Sequence, residues 1–573
     1  MKTKSNLDFL KLAMLLPLLI SAGDVFAVGD PWVPPIGIPA PPFGINEQAP
    51  ATPNPWTDPV PGFYYVEASH PSSTDAANAY GTPSKPRKTI PGREWEPLPA
   101  GSVVEVHGRY DMDLSAPSFF GSGTLTKPIF VRGVGAASKP LLTGVVEVLG
   151  SSYVIFENLK FCDRDGDLSG GPCGSFGITD KNSQKYDSHH IVLRYCEQSG
   201  NLTGGGTGIG GYAPTSVMSN IVFYKNYIHD NGSLALAGDQ DCHGIGVHGN
   251  TNHVWIIDNE MARNSGDGLQ INGFGMADPS LLNHIYVGRN VSHHNKQTGM
   301  WTKTASDVIF SQNTVYSHRP SDSSPGQGMG LQCDPERVWF IYNHCYDNVY
   351  GIDCGGDQHV PPFGLNCYIV GNVVRNIHEF GANTGTSAYS TCGIRVLGLT
   401  NRYVINNTIY DVDNGINTGT SLPHYLYNNI ISNASGNHIF IENPTTWELK
   451  NCLVYQNGGP VRINIGGSVY TLPQLKSAFS KVQGCLTADP LFVNAAGGDF
   501  HLQATSPAVD AGIEASVYAT FQSLYGLSIA VDFAKTVRPQ GAACEIGAYE
   551  LGGPAIEKLS APGSPKVDVL PRN

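Results

Sequence analysis

Lysine, aspartate and tryptophan side chains stand at matching positions in successive repeats of this chain. Lys303 and Asp334 share one repeat position, and Trp301 lies two residues before Lys303. A lysine amine can remove a proton bound to carbon if desolvation or a nearby cation lowers its pKa from about 10.4. Two carboxylates, here Asp334 and Asp353, can instead hydrolyse a glycosidic bond. Both kinds of chemistry need the side chains to lie close together, so the elements that carry them decide whether a site exists.

Two alternating motifs make up the repeat. The first is a run of alternating apolar residues that ends in Asn, as at Val254–Asn259, and it ends at Asn226, Asn259, Asn290, Asn313, Asn343, Asn372, Asn407, Asn429 and Asn451. The second begins with Gly and continues with alternating apolar residues, at Gly244, Gly268, Gly299, Gly330, Gly351, Gly393 and Gly415. The shortest step between Asn residues is 22, too short for a pair of helices, and strand formers dominate. We predict an all-β fold, a parallel β-helix.

Alternation along each Gly motif predicts which side chains face outward. If the residue after each Gly points inward, one outward row contains Gly246, Gln270, Trp301, Gln332, Asp353 and Arg395. The other outward row contains His248, Asn272, Lys303, Asp334, Gly355 and Leu397. Lys303 and Asp334 are then neighbours on adjacent coils, about 4.8 Å apart. An inert solenoid surface would more often carry Ser, Thr or mixed charges, so we expect a functional face here.

Insertions place this face between two walls. The Asn-to-Gly connection has 8 or 9 residues in plain coils but 18 between 226 and 244, 17 between 313 and 330, and 21 between 372 and 393. The Gly-to-Asn connection also lengthens after 268 and after 351. A sheet with long loops on both sides forms a groove, which suits an extended polymer.

Further candidate residues lie in these walls: Asp239, Asp241, His243, Asp267, His318, Arg319, Asp357 and His359. Hard cations take clustered oxygens, so Asp239, Asp241 and Asp267 are candidate Ca²⁺ ligands, although Asp-x-Asp pairs are also common in turns. We assign to catalysis Lys303, Asp334, Arg319, His248 and Asp353. We assign to substrate binding Trp301, Asn272, Gln270, Gln332, Arg395 and His243. The sequence gives no sign of an organic cofactor.

The repeated Asn and some Cys residues have structural interpretations. Asn tolerates left-handed turns, and its side chain can bond the Asn of the next coil, so we predict an Asn ladder at one corner. Twelve cysteines fit an oxidising compartment. Cys162 and Cys173 bracket one loop and suit a disulfide, whereas Cys333 and Cys354 are expected to stack inward on successive coils, as thiols or as a bridge.

The chain divides into six segments by composition: a signal peptide at 1–27, a Pro-rich N-terminal arm at 28–62, an N-terminal cap and first coil at 63–125, the grooved β-helix at 126–480, a closing module at 481–551 and a disordered tail at 552–573. Two lysines before an apolar run from Leu10 to Ile20 predict export, to the periplasm or the medium, with no membrane span. The net charge of −13 argues against a nucleic-acid partner. We expect a monomer.

Segments at both ends resemble those of known proteins. Phe63-Tyr-Tyr-Val and the stretch from Gly81 to Ile90 resemble the N-terminal cap of secreted bacterial, pectin-lyase-like parallel β-helix proteins, and Ser506–Gly512 with Glu545–Glu550 resembles their closing module. The resemblance implies a right-handed helix that acts on a polysaccharide. The stretch from Lys303 to Thr314 is similar to the segment after the catalytic lysine of the alginate lyase and chondroitinase B family. That similarity implies a lyase base at Lys303, but this chain has Asp334 where the family has an arginine.

Three function classes follow. The first is a lyase that removes the proton next to a uronate carboxyl and expels the 4-linked oxygen, with Lys303 as base. The second is a glycoside hydrolase that uses Asp334 and Asp353. The third is a glycan-binding surface or adhesin, which would use exposed aromatic residues such as Trp301.

Overall fold

The computed structural model describes residues 32–111, 118–135, 138–162, 176–180, 186–201, 206–211, 216–236, 238–276, 278–333, 335–355, 366–379, 391–397, 401–419, 423–443, 445 and 447–552. Chain contacts separate Met1–Val33 from Pro34–Asn573, and the description below concerns the second unit. The predicted signal peptide therefore lies outside the described residues, as does the predicted tail beyond residue 552.

Each coil contributes one strand to each of three sheets. Within these sheets each strand pairs in parallel with a strand of the next coil, as in the pairs β10–β13, β11–β14 and β12–β15, and the exception among the described strands is β43. Sheet 1 contains β1 Phe63–Val66, β2 Leu98–Pro99, β3 Val103–Val106, β6 Gly121–Ser122, β7 Ile129–Gly133, β10 Ser152–Glu157, β13 Ser188–Arg194, β16 Met218–Tyr224, β19 Thr251–Ile257, β22 Asn283–Gly288, β25 Ser306–Ser311, β28 Glu336–Ile341, β31 Asn366–Val370, β34 Asn401–Ile405, β37 His424–Tyr427, β40 Trp447–Lys450 and β44 Val482–Gln483.

Sheet 2 consists of short strands: β4 Arg109–Asp111, β8 Leu141–Thr143, β11 Lys160–Cys162, β14 Glu197–Ser199, β17 Tyr227–His229, β20 Glu260–Ala262, β23 Val291–His293, β26 Thr314–Tyr316, β29 His344–Tyr346, β32 Val373–Ile377, β35 Thr408–Val412, β38 Ile430–Ala434 and β41 Leu453–Tyr455. Sheet 3 carries the Gly motifs: β5 Ser118–Phe119, β9 Val146–Val148, β12 Phe176–Thr179, β15 Thr207–Gly211, β18 Ile245–Gly249, β21 Leu269–Asn272, β24 Met300–Lys303, β27 Gln327–Gln332, β30 Tyr350–Cys354, β33 Cys392–Val396, β36 Asn414–Thr418, β39 Ile439–Ile441, β42 Ile463–Ile465 and β43 Ser468–Tyr470.

This arrangement confirms the predicted parallel β-helix. Alternate side chains of each strand face the axis and stack between coils, as Ile245, Leu269 and Met300 do in register and without exposure. One apolar core therefore runs from the first coil to the last. The other elements in the described part of the chain are the helices α1 Leu472–Ala478 and α2 Val517–Tyr525, 3₁₀ turns at Pro279–Leu281 and Ala495–Gly497, and the antiparallel strands β45 Phe492–Asn494 and β46 Asp499–Leu502. Strand β43 also pairs antiparallel, with β42.

The Asn ladder is confirmed between Asn226 and Asn429. In each step the main-chain N–H and the side-chain amide of one Asn donate to Oδ1 of the Asn in the next coil, as from Asn259 to Asn290 at 2.9 and 3.0 Å. The predicted final member was wrong, because Asn429 meets Cys452 and Asn451 instead donates to the Ala511 carbonyl. Left-handed backbone falls on the residue before each ladder position, such as Asp258, and Asn451 is one of those residues.

The predicted register of one coil was also wrong. Gly328, and not Gly330, is equivalent to Gly299, because Met300 pairs with Met329 and Lys303 pairs with Gln332. The sequence Gly328-Met-Gly-Leu fits the motif in two frames, and the longer strand β27 takes the earlier one. Gln332 is therefore the neighbour of Lys303, in the place predicted for Asp334, which lies outside the described residues.

The Pro-rich arm packs on the outer face of sheet 1. Ile38 and Phe43 are buried, and the arm carbonyls of Ile36, Pro39 and Glu47 accept hydrogen bonds from Ser311, Trp255 and Arg194. Proline removes donors but leaves carbonyl acceptors, so an extended Pro-rich segment can still be fixed by side chains of the sheet.

The closing module packs on the same face of sheet 1. Phe521 of α2 lies edge-on to Trp339, and the Tyr525 hydroxyl donates to Asp307 Oδ1 at 2.9 Å. Arg538 pairs with Glu550 at 2.7 Å, and Asp532 accepts the Glu550 N–H.

The predicted stack of Cys333 on Cys354 is contradicted. Cys354 is in register with Leu331, and its Sγ lies 3.4 Å from Sγ of Cys367. The two-residue register error explains the difference. Cys173 lies outside the described residues, so its pairing with Cys162 stays a prediction. Within the described residues, none of the helices has the length and apolar character needed to cross a membrane.

Candidate functional site

A groove of 430 Å³ runs along the outer face of sheet 3. Most of the residues that line it are polar. They are Asp239, Asp241, His243, Asp267, Gln270, Asn272, Gln297, Thr298, Trp301, Lys303, Ser323, Ser324, Gln327, Gln332, Asp353, Gly355 and Arg395. The structure thus brings together most of the residues that the sequence pattern selected.

The floor of the groove is made by two outward rows of sheet 3. One row runs from Gln270 through Trp301 and Gly330 to Asp353 and Arg395. The other row contains His248, Asn272, Lys303 and Gln332 on consecutive strands. Lys303 therefore lies between two amide side chains, about 4.8 Å from each along the helix axis.

Lys303 is the groove cation without a partner among the described residues. No hydrogen bond or ion pair of its ammonium group is found there, although its side chain is only partly exposed. Burial lowers the pKa of His248 to about 4, and the positive charges of His243 and then Lys303 add smaller effects in the same direction. His248 is therefore neutral near pH 7, and this residue, which we assigned to catalysis, is not among the residues that line the groove.

Asp267 anchors the upstream end of the groove. Its Oδ1 accepts the N–H of Thr298 at 2.9 Å and also the Thr298 hydroxyl, and its Oδ2 accepts Gln270 Nε2 at 2.9 Å. The Asp267 N–H donates to His243 Nδ1 at 2.9 Å, which leaves the imidazole proton on Nε2. This network fixes the rings and amides at that end in one orientation.

Asp353 and Arg395 form the downstream end. The guanidinium donates from Nε to Oδ1 at 2.7 Å and from Nη2 to Oδ2 at 2.6 Å, and Gln327 Nε2 adds a third bond at 2.6 Å. The Arg395 guanidinium also lies 4.3 Å above the Tyr350 ring. Burial acts to lower the Arg395 pKa, but the Asp353 charge outweighs it and raises that pKa. Asp353 faces outward as predicted, yet it is 0% exposed and is fully engaged by its partners.

Trp301 is not the exposed aromatic residue that the sequence suggested, because it is only 6% exposed. Its ring lies beside Gly330, where a Cβ would come within 2.5 Å of Trp301 Cζ3. The Trp301 indole can therefore occupy this part of the groove floor because Gly330 has no side chain.

One predicted catalytic residue, Arg319, and one further wall candidate, His318, are not among the residues that line the groove. His318 is buried in a second ladder, where Asn264 donates to Asn295 and the His318 N–H donates to Asn348 Oδ1. Burial lowers the pKa of His318 to about 3, with smaller effects from His293 and His294. Arg319 is exposed. The pKa of His294 is lowered mainly by burial, then by the charge of His293 and then by that of Arg319. Both residues follow sheet 2 and were assigned by loop membership alone. Asp334, Asp357 and His359 lie outside the described residues.

The three candidate calcium ligands do not converge. The described residues contain no group of three or more His, Cys, Asp or Glu side chains placed to hold a metal. Asp241 accepts Gln297 Nε2 at 2.8 Å, and Asp267 accepts the three bonds described above. Asp239 lies beside Ser323 and Ser321, and its Oδ1 is buried without a hydrogen-bond partner among the described residues. Because these residues do not fit a calcium site as a set, no step below depends on calcium.

Sequence reasoning missed the groove residues Gln297, Thr298, Ser323, Ser324 and Gln327. All of them lie just before a Gly-motif strand or at its start. Gln297 and Thr298 precede Gly299, as Asp267 precedes Gly268, and that shared position was the signal available in the sequence.

No family model matches the chain, and no curated protein matches it significantly. Solved structures are similar to it at low identity. The chain is 15% identical to the PL6 family alginate lyase AlyGC, with 82% of this chain and 58% of that one covered and a TM-score of 0.45. It is 14% identical to pectate lyase Pel9A, with 86% and 96% covered and a TM-score of 0.41.

A third similar structure is the GH136 lacto-N-biosidase from Eubacterium ramulus, at 14% identity, 60% and 68% coverage and a TM-score of 0.35. The chain spans less than two thirds of the length of the alginate lyase. Two of these proteins are lyases and one is a glycosidase. Their similarity to this chain is low, and it is a similarity of fold. The assignment of the fold rests on the strand pairing described above.

Proposed function

We propose that the protein is a carbohydrate-active enzyme that binds a uronic-acid-containing polysaccharide in the groove and cleaves it by β-elimination. The observation that carries the proposal is the ammonium group of Lys303. It faces the groove without a bonded partner in the described part of the chain, whereas Asp241, Asp267 and Asp353 all accept hydrogen bonds from the protein. Among the described residues the groove thus offers an unengaged amine but no unengaged pair of carboxylates.

In this mechanism the unprotonated Lys303 amine takes the proton from the carbon next to the uronate carboxyl. The electrons of that C–H bond form a C=C bond as the bond to the 4-linked oxygen breaks, and the departing oxygen takes a proton from water. Negative charge grows on the carboxyl during this step. The Asn272 and Gln332 amides, one on each side of Lys303, are placed to donate hydrogen bonds to it.

Arg395 is proposed to bind the carboxylate of another sugar in the same chain. Arg395 lines the groove, and its Nη1 makes no hydrogen bond to a described residue. Arg395 is three strands from Lys303, about 14 Å along the axis. A substrate that meets both residues must therefore be an oligomer.

One observation favours the second or the third class, a glycoside hydrolase or a glycan-binding surface. Four aspartates line the groove against Lys303 and Arg395, and this acidic excess does not attract a polyanion. It would suit a neutral glycan better than an acidic one.

The test is incubation of the protein with uronic-acid polymers and with neutral polysaccharides. Ultraviolet absorbance of an unsaturated product supports elimination, and its loss in Lys303→Ala, with folding intact, supports the lysine as base. Lys88→Ala, an exposed lysine outside the groove, is the control. New reducing ends without absorbance would indicate hydrolysis, and binding without either product would indicate a binding protein.

A further inference from the structure

One wall of the groove is an inserted loop that lies across several coils. This wall loop, residues 233–243, precedes strand β18 and carries Asp239, Asp241 and His243 into the groove. Residue 237 lies outside the described part. The loop contains no strand or helix in the described residues, so side chains from other coils must hold it.

Lys296 holds the middle of the wall loop from two coils downstream. Its Nζ donates to the carbonyl oxygens of Leu236 at 2.5 Å and Gly238 at 2.6 Å. Lys296 is only 5% exposed. Burial of an ammonium group is costly unless hydrogen bonds replace its water, so these carbonyls and the lysine constrain each other.

The next two residues extend the same attachment. Gln297 Nε2 donates to Asp241 Oδ1 at 2.8 Å, and Thr298 donates to Asp267, whose N–H holds the His243 ring. The loop also fixes itself, since Gln240 Oε1 accepts Ser233 N–H at 2.7 Å and Ser265 Oγ at 2.9 Å. The consecutive residues 296–298 thus donate hydrogen bonds to Leu236, Gly238 and Asp241 of the wall loop and to Asp267, which holds the loop residue His243.

We propose that Lys296 is a positioning residue, which with Gln297 fixes the wall loop so that Asp241 and His243 face the floor of the groove. The attachment acts on binding of the sugar chain and not on the reacting atoms. That the loop serves glycan binding rests on the proposed function, whereas the attachment itself does not. A lysine is suited to this task because its three donors satisfy carbonyls that point in different directions.

Amide hydrogen exchange read by mass spectrometry tests the attachment without any substrate. In Lys296→Met, of similar length but without donors, we expect faster exchange in peptides that cover 233–243 and unchanged exchange in strands β21 and β24. Lys88→Met makes the same substitution at an exposed site and should leave the loop unchanged. Unchanged amide exchange of the wall loop in Lys296→Met overturns the proposal. An equal increase of exchange along the whole β-helix also overturns it.

A milder variant covers the case in which Lys296→Met fails to fold. Gln297→Leu removes only the bond to Asp241 and should raise exchange near residue 241 alone. Where a polymer is cleaved, Lys296→Met should raise KM about tenfold with kcat nearly unchanged. A fall in kcat at constant KM would contradict a positioning role. Absence of turnover on every polymer would reject the proposed function, whereas the exchange experiment would still decide whether Lys296 holds the wall loop.

Discussion

Arg395 holds Asp353 through two parallel hydrogen bonds, Nε to Oδ1 at 2.7 Å and Nη2 to Oδ2 at 2.6 Å, across neighbouring strands of the groove floor. Bidentate pairs of this kind combine strength with fixed geometry. The pair removes Asp353 from the set of free carboxylates and leaves one face of the arginine toward the groove. This relationship decides more about the site than the bare presence of an aspartate there.

Breaking the pair should reduce stability. Asp353→Asn and Arg395→Met each leave a largely buried partner without its counter-charge, at a cost of roughly 1–3 kcal/mol. The double variant should lose less than the sum of the two single losses. Urea unfolding of all four proteins measures the coupling, and additive losses would show that the pair contributes no interaction of its own. In the elimination assay Asp353→Asn should affect KM more than kcat, whereas a large loss of kcat would show that this carboxylate takes part in the elimination step itself.

Gly330 should tolerate alanine poorly, and Gly208, in the same outward row, should tolerate it well. At Gly330 a Cβ would meet the Asp353 carbonyl oxygen at 1.9 Å as well as the Trp301 ring, whereas at Gly208 nothing lies within 4 Å. Overpacking costs roughly 1–3 kcal/mol. Gly208→Ala should be neutral or stabilising by about 0.4–1 kcal/mol, because alanine restricts the unfolded chain. Thermal unfolding of both variants gives the comparison, and equal midpoints would contradict the tight contact at Gly330.

Acid should destabilise the protein through buried histidines. Burial lowers the pKa of His318 and His344 to about 3 and of His424 to about 4, and the neighbouring charges add less. Between pH 6.5 and these lowered pKa values the unfolded chain binds protons that the folded chain does not. The contribution of these histidines to the free energy of unfolding is therefore fully present above pH 6.5 and is lost as the pH falls. Each histidine contributes about 1.4 kcal/mol per pH unit in this window.

His318→Asn isolates one of these protons. Asn occupies the equivalent ladder position in neighbouring coils, at Asn295 and Asn348, so the variant should fold. Urea midpoints at pH 7.0, 5.5 and 4.5 should fall less steeply in His318→Asn than in the unmodified protein. An identical slope would show that His318 takes up a proton in the folded state.

Alkali should destabilise the closing module through Glu545. Burial, followed by the hydrogen bond and the like charge of Glu550, raises the Glu545 pKa to about 8. The folded chain therefore keeps a proton that the unfolded chain releases above pH 4.5, and stability falls as pH rises toward 8. Glu545→Gln keeps the hydrogen-bond donor and should flatten the dependence between pH 6.5 and 8, where the histidines do not contribute. A slope that persists in this variant would locate the effect elsewhere.

The repeat pattern was sufficient for the fold, and it was sufficient for much of the groove. Alternation decides which side chains point outward, because successive strand residues face opposite sides, and insertion lengths identify the walled sheet. Gln270, Trp301, Lys303 and Arg395 were placed correctly on the outer face by that argument alone. The same argument failed at Gly330, where two Gly residues spaced by two offer equivalent frames and only strand pairing with Lys303 distinguishes them.

Sequence order alone determined the coil, its inward rows and its corner Asn ladder, because each depends on neighbours at a fixed repeat distance. The tertiary structure decided which polar groups are engaged. The bonds from Arg395 to Asp353, from Lys296 to the wall loop and from Thr298 to Asp267 join residues 31 to 60 positions apart. Such pairs depend on how loops of different coils fold back on each other, and no local pattern records that.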